Sequence, residues 1–239
     1  MTVGHAGSSR IRDRRLYVWS AFLLPLLVLA GFARTYYLKG FFSTPDLPSV
    51  LVHLHGAVMT AWVVLFIVQV WLISAHRVRV HQRLGYAGVA LAVVVVGVGF
   101  ATAVASAARG NSGGPIPPLV FLVVPIFDLV VFTILFGFAI AYRRRPETHK
   151  RLMLLTVFNF LPPAIARIPL AWIAALGPLS FFGIPDVLAL ASLAFDTWRH
   201  RRLSRAFALG TLLLVASHPI RFMIGGTMAW AKFANWLVH

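Results

Sequence analysis

An all-helical integral membrane protein, built as a bundle of seven transmembrane helices, is the fold class this sequence predicts. Three observations carry that expectation. The 239-residue chain is 59% hydrophobic, with a mean hydropathy of +0.84. Only 12% of its residues are charged, where a water-solvated domain carries roughly a quarter. The apolar residues also fall into long runs, with the basic residues in short clusters between them.

A helical crossing needs roughly 20 residues at about 1.5 Å each. Seven segments meet that need, at about 16–33, 49–75, 84–107, 118–142, 152–176, 182–198 and 205–230. The first has a basic flank like a signal peptide. Its apolar run is long, however, and Gly31-Phe32-Ala33-Arg34-Thr35 is a poor cleavage site, so it reads as a retained span. The third carries Gly85, Gly88, Gly97 and Gly99 among alanines and valines, the composition of a close-packing helix. Between the third and fourth lies one flexible linker, Arg109 to Pro118, rich in glycine and proline. The sixth is the shortest, and its Pro185 suits a helix start better than an interior. Short connections make sequential helices neighbours, so residues 1–15 read as a basic arm and 16–239 as a single domain of one helix plus three hairpins.

The basic clusters give the orientation. Arg10, Arg12, Arg14 and Arg15 precede the first span, and Arg77, Arg79 and Arg83 join the second to the third. Arg143, Arg144, Arg145, Lys150 and Arg151 join the fourth to the fifth; Arg199, Arg201, Arg202 and Arg205 join the sixth to the seventh. That places 16 basic residues on one side against Arg34, Lys39, Arg109 and Lys232 on the other. Cytoplasmic loops keep the excess of Lys and Arg, so the N-terminus is expected in the cytoplasm and the C-terminus outside. A net charge of +16 in a soluble chain would point to nucleic acid. Clustered between spans, it points instead to topology and to anionic lipid headgroups on the cytoplasmic side, with no nucleic-acid partner.

The absence of cysteine excludes disulfides, thiolate metal sites and cysteine nucleophiles. No Walker, nucleophile-elbow, zinc-protease or dinucleotide motif occurs, which argues against familiar soluble enzyme chemistry.

Charged groups at membrane depth cost about 2.5–3.5 kcal/mol each on insertion scales, so each needs a partner or a task. The candidates are His53, His55, Asp128, Arg167, Asp186, His218 and Arg221. Counted from the outer span ends, His55 lies about 9 Å deep, Arg167 and Arg221 about 14 Å, Asp128 about 16 Å and His218 about 18 Å, with Asp186 shallower. All fall in the outer half. His55, Trp62, Gln69 and His76 are spaced by seven and form one stripe, with His53 pointing nearly opposite. Asn159, Pro163 and Arg167 share a side of the fifth helix, and His218 and Arg221 face together on the seventh. Pro162, Pro163, Pro169 and Pro219 free backbone carbonyls near these side chains.

Two readings of that set stay open. As structure, Asp128 and Asp186 neutralise Arg167 and Arg221 while the histidines cap loose ends. As function, the arginines suit carboxylates such as heme propionates, and neutral imidazoles are ligands for iron or another transition metal. A repeat of the form His-x-Arg-Leu, at His81, His149 and His200, likewise reads either as an interfacial device or as a cytoplasmic histidine cluster.

The run His53-x-His55-Gly56…Trp62…Gln69, followed by His81-x-Arg-Leu-Gly85, resembles uncharacterised bacterial polytopic membrane families. These include small histidine-bearing ones associated with heme–copper oxidase assembly. The resemblance covers about the second and third helices and implies histidine-dependent heme or metal handling at the inner membrane, and a respiratory or other membrane complex is a candidate partner. The arrangement of His55 and His81 is also similar to b-type cytochromes of the ascorbate-reducing kind. The fourth helix here lacks histidine, so that family's paired axial ligands do not carry over. The expectation is a protein binding heme b or a transition metal through His53, His55 and His218, with Arg167 and Arg221 on anionic groups, serving electron transfer or oxidase maturation. The alternatives are a transporter or receptor for a small anionic or amphipathic molecule, and a structural subunit of a larger membrane complex.

Overall fold

Long apolar runs with few breakers satisfy their backbone internally, and among the described residues every regular element is helical. The computed structural model describes residues 23, 25–111 and 116–239. The basic arm 1–15, most of the first predicted span and part of the linker lie outside them. Helix α1 covers 25–32 and runs into a π-helical turn, Ala33–Tyr37. Then follow α2 (Val50–Ser74), α3 (Val78–Ala108), α4 (Val123–Ala141, preceded by a turn at Pro118–Phe121) and α5 (Pro146–Asn159). After a turn at Pro162–Ile165 come α6 (Ala171–Leu176), α7 (Pro178–His200), α8 (Arg205–Gly225) and α9 (Met228–Val238).

Five of these segments are long and apolar enough to cross a membrane: Val50–Ser74, Val78–Ala108, Pro118–Ala141, Pro178–His200 and Arg205–Gly225. Their mean hydropathies run from 1.6 to 2.8. The chain is thus an all-helical protein suited to a membrane. The fifth predicted span is not one helix. α5 has 14 residues, about 21 Å of rise, and stops at Asn159 because Pro162 and Pro163 cannot donate to the preceding turn. The irregular stretch beyond it is covered by protein through Leu161, Ala164 and Ile165, each about 1% exposed or less. Beyond it Ala166, Arg167, Pro169 and Leu170 are exposed, and Ile173 of α6 is buried again. Non-helical backbone at membrane depth survives only under such cover. The seventh span also ends earlier than expected, at Gly225, and Met228 opens a separate helix.

The chain divides into two compact units, Met1–Val95 and Val96–His239, with the division inside α3. In the first, the π-helical turn aims two tyrosines at α2. Tyr36 Oη donates to the His53 carbonyl (3.2 Å), and Tyr37 Oη shares a hydrogen bond with Thr60 Oγ1 (2.8 Å). Gly56 permits this approach, since a Cβ there would fall 2.4 Å from the Tyr36 ring. In the second unit, α4, α5, α7 and α8 pack together. Gly210 of α8 faces leucines 135, 152 and 155; an added Cβ would meet Leu155 at 2.6 Å, so α4 and α5 both close on this glycine.

Candidate functional site

The first unit places the histidine motif on α2 and the start of α3. His53 is exposed, its ring 6.3 Å from that of Tyr36, while His55 is half-buried and Trp62 is 5% exposed. With its amide nitrogen toward α3, Gln69 donates to His81 Nδ1 (2.6 Å) and accepts from the Gly85 N–H (3.2 Å). The part of the motif linking Gln69 to His81-x-Arg-Leu-Gly85 is therefore a clamp between two antiparallel helices. His76 does not continue the stripe. It stands beyond the end of α2 with φ 58°, turning the chain into α3. At the opposite end of α2, the Lys39 ammonium hydrogen-bonds Asp46 and holds that exposed carboxyl below the usual carboxylate range.

The second unit builds a denser site from four helices. Arg221 on α8 is fully buried, and its Nη1 donates to Asp128 Oδ1 on α4 at 2.6 Å. Nη2 donates to Ser217 Oγ (3.1 Å) and Nε to the Ser217 carbonyl (3.2 Å). Its guanidinium carbon lies 5.1 Å from the Phe182 ring and 5.9 Å from that of Phe127. Asn159, the last residue of α5, donates to the Asp128 carbonyl at 2.8 Å. Its Oδ1 is buried with no partner, and neither Pro162 nor Pro163 can donate to its carbonyl.

Phe182 of α7 also packs on His218, with tilted rings whose centres are 4.7 Å apart, and so touches both imidazole and guanidinium. His218 is 4% exposed. Its Nδ1 lies 2.8 Å from Asp186 Oδ1, at ion-pair distance but off the line of a good hydrogen bond. Its Nε2 is buried and has no partner. A buried polar atom without a partner is uncommon enough to need a reason.

Four predicted residues thus come together in one network: Asp128, Asn159, His218 and Arg221, with half-buried Asp186 at its edge. The pairing differs from expectation in one respect. Arg167 is paired with neither Asp128 nor Asp186, which go to Arg221 and His218. It is exposed, and its Nη1 donates to the Pro163 carbonyl at 2.8 Å. The reason is the break after Asn159: once the helix stops, the spacing that put Asn159, Pro163 and Arg167 on one side no longer applies.

The three His-x-Arg-Leu histidines make separate local contacts. His81 meets Gln69, His149 Nδ1 the Ala139 carbonyl (2.8 Å), and His200 Nδ1 the Asp196 carbonyl (2.8 Å). Among the described residues no group of three His, Asp or Glu side chains is placed to hold a metal ion.

A second buried ion pair lies outside the predicted set. Arg151 on α5 and Asp196 on α7 are 8% and 6% exposed. Both Nε (2.9 Å) and Nη2 (2.8 Å) of the arginine reach one oxygen, Asp196 Oδ1, leaving Oδ2 buried without a partner. In sequence Arg151 stands among basic neighbours and Asp196 near a span end, so neither looks buried. The available signal was the 3.6-residue phase: Asp186, Asp196 and His200 share a face of α7 with buried Phe182 and Ala189.

Comparisons with protein-family models, with curated proteins and with solved structures give no match to this chain.

Proposed function

We propose that this chain spans a cell's inner membrane seven times, with a cytoplasmic N-terminus, and holds a heme or a transition metal through His218. The orphaned Nε2 of His218 carries the reading. A metal-binding imidazole characteristically offers one nitrogen to the metal and turns the other toward a carboxylate that fixes tautomer and ring orientation. Asp186 stands on the Nδ1 side at 2.8 Å, and Phe182 packs the ring against rotation.

The fit is good at the histidine and poor at the arginines. Arg221 commits one donor on each of its three nitrogens to Asp128 and Ser217, so its main charge contact is already taken by a carboxylate of the protein. Its task is to hold α4 and α8 together beside the ligand nitrogen. A heme or metal bound there would supply one-electron chemistry. The protein's own part is to orient Nε2 and exclude water.

A second reading is favoured by the interrupted fifth segment. Discontinuous helices whose carbonyls are freed by proline line the binding sites of many carriers. Asn159, with Oδ1 unpartnered at the break, fits a small hydrogen-bonding ligand passing through the membrane.

Two measurements test these proposals. Seven crossings and the charge bias require a reporter fused after His239 to be active outside and one within 143–151 to be cytoplasmic. A cytoplasmic C-terminal signal would mean an even number of crossings. Protein purified from cells grown with ample iron and trace metals should show metal by elemental analysis, with an intense visible band near ~400 nm if the group is heme. His218→Ala should abolish either signal, and Asp186→Asn should weaken metal affinity by about 10–100-fold. A colourless, metal-free preparation would reject the heme and metal reading and leave the carrier as the better account.

A further inference from the structure

α9 has a three-sided surface that none of the preceding roles uses. Thr227 caps its start, its Oγ1 accepting from the Trp230 N–H at 3.1 Å. Trp230 (7% exposed) and Ala234 (0%) pack on Ala103 and Ala107 at the end of α3 and on Leu122 and Val123 at the start of α4. Trp230 Nε1 donates to the Leu119 carbonyl at 2.8 Å. Every one of these partners lies at one end of the unit's long helices, so α9 packs at that end. Its 11 residues rise about 16 Å, too little to cross a bilayer.

The outward surface is divided. At 100° per residue, Lys232, Asn235 and His239 fall within one arc, and Ala229, Phe233 and Trp236 within another. The second arc is apolar yet open: Trp236 is 72% exposed and Phe233 43%. The end of α8, just before it in the chain, also carries open apolar side chains, Phe222 at 37% and Met223 at 74% exposed.

We infer that α9 is an interfacial helix, seated in the headgroup–acyl boundary of the bilayer where α8 ends. The Trp236 and Phe233 flank enters the lipid, and the Lys232 and Asn235 flank faces headgroups and water. The preceding helix α8 is long and apolar enough to cross a membrane and exposes Leu209, Leu212, Ile220 and Met223, which names lipid as the occupant at its end. An indole beside a lysine is the side-chain pair suited to that layer: one is apolar with a polar edge, the other a charge on an apolar stem. The inference rests on the membrane embedding indicated by the five long apolar helices, and not on the bound ligand.

The chain has no cysteine, so single cysteines report without background. Full-length Trp236→Cys, Lys232→Cys, Ala234→Cys and Leu212→Cys would be labelled with an environment-sensitive fluorophore in phosphatidylcholine/phosphatidylglycerol vesicles. Quenchers would be iodide in water and nitroxide lipids carrying the spin near the headgroup or deep in the acyl chain. The label at 236 should be quenched several-fold more by the shallow nitroxide than by iodide, and the label at 232 the reverse. Ala234→Cys should stay unreactive in the folded protein. Leu212, 62% exposed on α8, is the control for embedding and should respond to the deep nitroxide. If 212 responds and 236 is quenched by iodide as strongly as 232, the flank lies in water and the inference fails. Protection of 236 from both quenchers would mean that a protein covers it, which also overturns the inference. Silence at 212 would instead refute the embedding itself.

Discussion

Arg221→Met is expected to destabilise the protein severely, by about 3–5 kcal/mol on the scale of broken buried ion pairs. The arginine is fully buried and Asp128 is 6% exposed, so removing the cation leaves a nearly buried carboxylate without its ion-pair partner. Ser217 would lose its guanidinium contact, and Phe182 would lose one of the two groups it packs on. Methionine replaces most of the volume, so the loss comes chiefly from the missing charge and only slightly from packing. The double variant Arg221→Met with Asp128→Leu should recover most of the loss, because removing both partners removes the desolvation penalty as well. Reversible unfolding in mixed micelles, followed by circular dichroism, measures both. Losses that add strictly across the two sites would show that Asp128 and Arg221 are uncoupled, against their 2.6 Å contact. The same pair of variants probes function. If His218 is a ligand, the double variant should keep the visible or metal signal that His218→Ala loses, since Arg221 only supports the helix that carries it.

The part of the fold legible in the sequence is whatever length and composition control. Of the seven predicted spans, five fall on helices long and apolar enough to cross a membrane, because hydropathy over such a length reads the one constraint that a bilayer imposes. α5 escapes that reading because the same apolar run hides two prolines whose effect is local. Hydropathy averages over Pro162 and Pro163, whereas the hydrogen-bond ladder cannot. The error passes on to Arg167, whose predicted place assumes an unbroken helix. The site is legible where charges sit alone in apolar runs, as Asp128 and Arg221 do, since neither can be buried unpaired. Which aspartate takes which partner is not legible. Pairing depends on helix rotation to within one residue, and Asp186 meets His218 where an arginine was expected. The His-x-His-Gly run has in part a packing explanation that spacing could not reveal, namely that Gly56 makes room for the Tyr36 ring.

The pair that composition conceals gives an asymmetric test. Arg151 is bound to Asp196 and also stands 3.5 Å from Glu147, whose side chain is 57% exposed. Asp196 has a different balance: Arg151 takes Oδ1 twice, His200 Nδ1 is 3.4 Å away, and Oδ2 has no partner. Arg151→Leu therefore removes the principal cation from a buried, already under-satisfied carboxylate, and a loss of about 3–5 kcal/mol is expected. Asp196→Leu leaves the arginine beside Glu147 and close to solvent at the helix start. Its loss should be smaller, about 1–3 kcal/mol, the range for a removed partner of a buried donor. Glu147→Gln touches an exposed contact and should change stability by less than about 1 kcal/mol. Combining Arg151→Leu with Asp196→Leu should bring stability back toward that of Asp196→Leu alone. The decisive quantity is the order of the two single losses, read from the same micellar unfolding titrations. Equal losses would mean that the carboxylate is relieved by protonation or by His200, and a larger loss for Asp196→Leu would reverse the assignment of which charge depends on the other.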